Sequence, residues 1–63
     1  IYRGFITMET IFYIVARIDG DYAMLQREDA PDEDLKQVAM AFMPAGISEG
    51  DRVKYELFQY DLA

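Results

Sequence analysis

The chain has no cysteine, no histidine and no tryptophan, a single serine, and half as many basic residues as acidic ones. Each shortage excludes something. Without cysteine there is neither a disulfide nor a thiolate ligand, and redox conditions do not constrain the compartment, so cytoplasmic is the default. Without histidine the commonest transition-metal ligand is missing, and so is the usual general base near neutral pH. Ser48 has no histidine to activate it, which leaves nucleophilic catalysis without its base. The four glycines are scattered and match neither phosphate-cradling fingerprint. Six basic residues against twelve acidic ones give a net charge of −6. That sign opposes binding to a phosphate backbone, which needs clustered Lys and Arg. No run approaches the roughly 18 continuous apolar residues that span a bilayer. The opening "IYRGFIT" lacks the basic segment and apolar stretch of a secretory signal. The expectation is a chain with no catalytic residues, no cofactor and no metal, binding neither nucleic acid nor membrane.

What is present is apolar and aromatic. Of 63 residues, 52% are hydrophobic, and five Tyr with four Phe argue against disorder. The length sets one domain, residues 1–63, of a size that buries only about 60% of its unfolded surface. Domains this small lean on disulfides, metals or oligomerisation, and of these only oligomerisation remains. Residues 1–7 read as an extra strand or as sequence upstream of a native start at Met8.

Thr10 to Ile18, "TIFYIVARI", has the β-branched and aromatic content of a strand, and Tyr22 to Glu28 reads as its return. Asp19-Gly20 supplies the central pair of a type I′ turn. With that loop, Phe12, Ile14, Ile18 and Leu25 share one face and are the expected core. Ile11, Tyr13, Val15, Tyr22 and Met24 fall on the other face, which is also largely apolar. Too few residues remain outside the hairpin to cover both faces. Tyr13, Val15, Tyr22 and Met24 are therefore the candidate contact for a second copy, since Tyr and Met are enriched at interfaces.

"REDAPDEDLKQ" is an acidic connection stopped by Pro31. Leu35, Val38, Ala39, Phe42 and Met43 have helical spacing, yet Leu35 to Val38 also suits a short strand followed by a helical turn. "PAGISEGD", residues 44–51, is a turn-rich connector. "RVKYELFQY" alternates as one half-buried strand, with Val53, Tyr55 and Leu57 inward and Arg52, Lys54 and Glu56 in solvent.

"IVARIDGDYAML" followed by "FMPAGISEGDRV" resembles the small bacterial family catalogued as domain of unknown function 3006, through Arg17, Gly20, Ala23, Pro44, Gly46, Glu49, Gly50 and Asp51. The likeness covers roughly residues 9 to 58, with Ala16 where the family often has Asp and a longer acidic linker. It implies a small barrel-like domain, turns residues 35–38 toward strand, and brings no known activity. Some members look like appendages to metallo-β-lactamase-type hydrolases, which implies an accessory role.

Two acidic groupings have the residue types for chemistry. Asp29, Asp32, Glu33 and Asp34 offer oxygens to a hard cation or a docking surface to a basic partner, but lack the alternation and central glycine of a calcium loop. Glu49 and Asp51 are two carboxylates about a glycine, better suited to shaping a turn than to acid–base work. The expected fold is all-β: an open, strongly bent antiparallel barrel, SH3-like or OB-like, of four to five strands with one short helical turn near Met40. The expected function is a non-enzymatic interaction or accessory module, a homodimer through the second hairpin face. The alternatives are an acidic docking domain for a larger protein and, more remotely, a weak divalent-cation site in residues 28–34.

Overall fold

The computed structural model describes residues 9–63. The expectation for residues 1–7 and the reading of Met8 as a start lie outside them. Five strands form: β1 (Ile11–Asp19), β2 (Tyr22–Arg27), β3 (Lys36–Ala39), β4 (Arg52–Glu56) and β5 (Gln59–Leu62). One 3-10 turn, Met40–Phe42, follows β3. Every pairing is antiparallel and the order is β3-β2-β1-β4-β5, so among the described residues β1 is central and β3 and β5 are the two edges. The sheet curls into an open half-barrel, as the all-β expectation with a helical turn near Met40 required. Joining β3 to β5 would complete a five-stranded Greek-key barrel. Residues 36–39 are strand, which settles the choice left open by their helical spacing. Among the described residues no helix is long and apolar enough to cross a membrane.

The hairpin forms where expected but in a different register. Asp19 pairs with Tyr22, so the loop residues are Gly20 and Asp21. Gly20 alone of the two has positive φ, +58°, which is the type II′ arrangement with glycine first. Val15 then pairs with Leu25 but Arg17 pairs with Met24, leaving Ala16 as the extra residue of a β-bulge. The bulge inverts the alternation of β1. Tyr13 and Val15 point inward before it, and Ile18 packs on the core after it. Phe12 and Ile14, expected in the core, are half-buried and outside the core cluster.

The core consists of Tyr13, Val15, Ala23, Leu25, Val38, Met43, Ile47 and Val53. Met43 and Ile47 come from the connector after β3, and Ile47 was read from sequence only as part of a turn. That connector also supports the bulge. The Val15 N–H donates to the Asp51 carbonyl at 2.9 Å, and the Gly50 N–H donates to the Val15 carbonyl at 2.8 Å. The Ile18 N–H donates to a Glu49 carboxylate oxygen at 3.1 Å, and the Ser48 N–H to Asp51 Oδ2 at 2.8 Å. Glu49 and Asp51 thus serve backbone donors, in keeping with the turn-shaping reading.

Arg52 links the strands on the outer face. Its guanidinium lies 4.0 Å from the Phe12 ring centroid and donates to both oxygens of Glu28, at 2.7 and 3.0 Å. The hydrogen bond from Arg52 is the main reason the Glu28 carboxyl is held below the ordinary value of 4.5. A carboxylate lowered by folding stabilises the fold above its unfolded value, and that contribution is lost as pH falls through the folded one. Glu28→Gln should therefore flatten the loss of stability below pH 4.5, read as a smaller shift in urea midpoint between pH 7 and pH 3. An equal acid shift in both proteins would show that the pair adds nothing. The pair is exposed, so the difference is small.

Candidate functional site

The four residues expected to form an interface do not share a face. Tyr13 and Val15 are buried by the chain itself, at 4% and 1% exposure, and are corrected to core. Tyr22 is exposed and Met24 half-buried, alternating along β2 with the buried Ala23 and Leu25 and so on its outer side. The cause is the bulge at Ala16, which exchanges the faces of the β1 residues before it, while Ile18 and the residues of β2 keep the faces assigned from sequence.

The acidic stretch does not close on itself. Asp29 accepts hydrogen bonds from Arg27, and the hydrogen bond to that guanidinium is the first cause of its lowered carboxyl pKa. Asp32, Glu33 and Asp34 are exposed. Among the described residues no three carboxylates gather closely enough to hold a metal ion.

A different site lies in the seam between the edge strands. A cleft of about 380 Å³ is lined by Lys36 and Val38 of β3, Phe42, Tyr55 of β4, Phe58 and Tyr60. That volume is within the range of small-ligand sites. Its floor is aromatic. Tyr55 and Tyr60, paired across β4 and β5, have ring centroids 4.7 Å apart, and Tyr13 lies 6.2 Å from Tyr60. Lys36 shares the parity of Val38 and so reaches over the inner face. Its ammonium sits 5.7, 5.4 and 5.8 Å from the ring centroids of Tyr13, Tyr55 and Tyr60. These are cation–π distances. Interaction with the Tyr60 hydroxyl is the largest cause of a raised Lys36 pKa, against a smaller opposing cost of desolvation.

Lys36 differs from the other described cations in its partners. Arg17 pairs with Asp19, Arg27 with Asp29, Arg52 with Glu28 and Lys54 with Glu56. Among the described residues, Lys36 is the basic side chain with no carboxylate beside it, in a chain of twelve acidic residues. The mouth of the cleft is apolar and wet, with Phe42 69% and Phe58 80% exposed.

Sequence reasoning did not single out Lys36, Phe58 or Tyr60. One signal was available: Lys36 is the only basic residue between Arg27 and Arg52. Phe58 had none. "YELFQY" contains no turn-forming residue, and its alternation reads as continuous strand. The structure instead folds it into a β4–β5 hairpin with Leu57 and Phe58 at the tip, at φ +54° and +64°. Two positive φ values at the central positions of a two-residue loop are the type I′ pattern, which usually takes Asn-Gly.

The fold and cleft together define a small open β-barrel with a ligand-sized seam. No family model, curated protein or solved structure matches the chain. The likeness to domain of unknown function 3006 stands on its motifs alone.

Proposed function

We propose that this domain is a non-enzymatic interaction module that receives an extended segment of a partner protein at the open seam between β3 and β5. One observation carries the reading. Leu57 and Phe58 occupy a strained turn and are 65% and 80% exposed, and Phe58 lines the cleft together with Phe42. Neither the backbone nor burial favours large apolar residues there, and local features that oppose stability concentrate at functional sites. Among the described residues β3 and β5 each have a neighbour on one side alone, which adds the backbone half of strand-addition recognition, and the cleft adds a side-chain pocket. The test is a displayed library of extended apolar peptides, selected on the wild-type domain. Selected sequences should lose at least tenfold in affinity on Phe42→Ser with Phe58→Ser, both exposed positions, while the far-ultraviolet spectrum stays the same. Unchanged affinity would place binding elsewhere.

Self-association is the second reading, supported by the outer face. There Phe12, Ile14 and Met24 are half-buried and Tyr22 is 44% exposed. On this reading light scattering gives a dimer that resists salt and dissociates on Tyr22→Lys with Met24→Lys. A monomer in the wild type at low and high salt would sink it. The acidic stretch 28–34 fits either partner as a steering surface, in which case association with a basic protein slows steeply as salt is added.

A further inference from the structure

The seam also indicates what its ligand should look like, an inference that rests on the seam being the contact surface. We infer that the cleft recognises an apolar group ending in a single carboxylate, with the carboxylate held by Lys36 and the apolar body held between Phe42 and Phe58.

The sign of the charge follows from Lys36. Three tyrosine rings around one point would ordinarily suit an organic cation. Here that place is taken by the chain's own ammonium, 5.4 Å from the Tyr55 centroid and 5.7 and 5.8 Å from the other two. A second cation would meet like charge. An anion would meet an ammonium with three donors and no competing carboxylate among the described residues. The rings orient the ammonium without neutralising it, and the side chain is exposed enough to be reached.

The number of charges follows from the rest of the molecule. A net charge of −6 repels a polyanion such as a nucleic acid or a multiply phosphorylated ligand. One negative charge, close to Lys36 and screened from the remaining surface over about 8 Å at physiological salt, avoids most of that repulsion. The apolar requirement follows from Val38, Phe42, Tyr55 and Phe58, which supply carbon surface and no charge to the cleft. The β3 edge runs along the cleft wall and can pair with a peptide backbone, which suits a chain terminus as the source of the carboxylate. A free aryl or alkyl acid carries the same chemistry.

The test uses the whole chain and three probes followed by amide chemical shifts: the N-acetylated tetrapeptide Ala-Val-Ala-Phe with a free C-terminus, the same peptide amidated, and 3-phenylpropionate. The free acid should bind about tenfold or more tightly than the amide. Lys36→Met should weaken the acid to the level of the amide and leave the amide unchanged. Binding of 3-phenylpropionate with the same dependence on Lys36 would identify a free acid as sufficient, and its failure beside a binding peptide acid would identify a chain terminus. Equal binding of acid and amide to the wild-type protein overturns the carboxylate assignment while leaving seam docking in place, and needs no variant to fold. If neither peptide shifts residues of β3 and β5 at millimolar concentration, both seam docking and this inference fail.

Discussion

Leu25→Ala should leave most of the chain unfolded at 25 °C. Leu25 is fully buried at the centre of β2, paired across the bulged hairpin with Val15 and across the other edge with Lys36. Removing its branched side chain forfeits burial and leaves a cavity, and such changes typically cost about 2–5 kcal/mol. A single core in a domain of this size rarely supplies more than about 3–5 kcal/mol in total. The two quantities are of the same size, so the loss is close to the whole of the stability. No disulfide can hold the chain together once the core is weakened. Urea titration followed by far-ultraviolet dichroism should show no native baseline for the variant, whereas Tyr22→Ala at an exposed position should change the unfolding free energy by no more than about 0.5 kcal/mol. A cooperative transition near the wild-type midpoint for Leu25→Ala would contradict the placement of the core.

The second large effect has the opposite sign. Leu57→Asn combined with Phe58→Gly should stabilise the domain. Both residues hold left-handed φ, +54° and +64°, where a side chain crowds the following carbonyl at a cost of about 1–2 kcal/mol per residue. Asn-Gly is the preferred pair for this turn. Both side chains are more than half exposed, so little burial is lost by removing them. The net gain should be about 1–3 kcal/mol, and each 1 kcal/mol raises the melting temperature of a domain this size by about 4–8 °C. The same variant should bind seam ligands less well, because Phe58 is gone from the mouth of the cleft. Gain in stability with loss of binding is the pattern of a site kept for function. A melting temperature that stays level or falls would show that packing around Leu57 and Phe58 offsets the strain, and would remove the main support for the seam as a contact surface.

How much of this was legible depends on the range of the signal. The strands were visible because β-branched and aromatic runs bounded by turn residues are local features: "TIFYIVARI" and "YAMLQR" needed no partner to be recognised. The hairpin was visible for the same reason, and the acidic connection was legible through Pro31. Residues 36–39 were not, since the spacing around them fits a helix as well as a strand, and only pairing with Tyr22 through Leu25 makes them a strand. Ile47 was hidden in a turn-rich stretch, where nothing local shows that the chain folds back onto the core. The "YELFQY" hairpin was hidden most completely, because its turn runs against residue preference and the alternation on either side looks continuous.

The candidate site was the least legible part. The sequence by itself determined that the chain has no histidine or cysteine, twice as many acidic as basic residues, and enough Val, Ile, Tyr and Phe for a small sheet. It also determined where the first hairpin turns, to within one residue. Only the tertiary structure decided which side chains of β1 before the bulge are inside. Side chains in a strand alternate with period two, so one extra residue at Ala16 exchanges inside and outside for everything on one side of it. Tyr13 and Val15 became core by that step, and Phe12 and Ile14 lost their place in it. The seam was likewise decided by the curl of the sheet, which brings Lys36 of β3 over Tyr55 and Tyr60, residues far along the chain. Such a meeting has no local signature, because it depends on how five strands twist together and on which pair of edges is left unjoined.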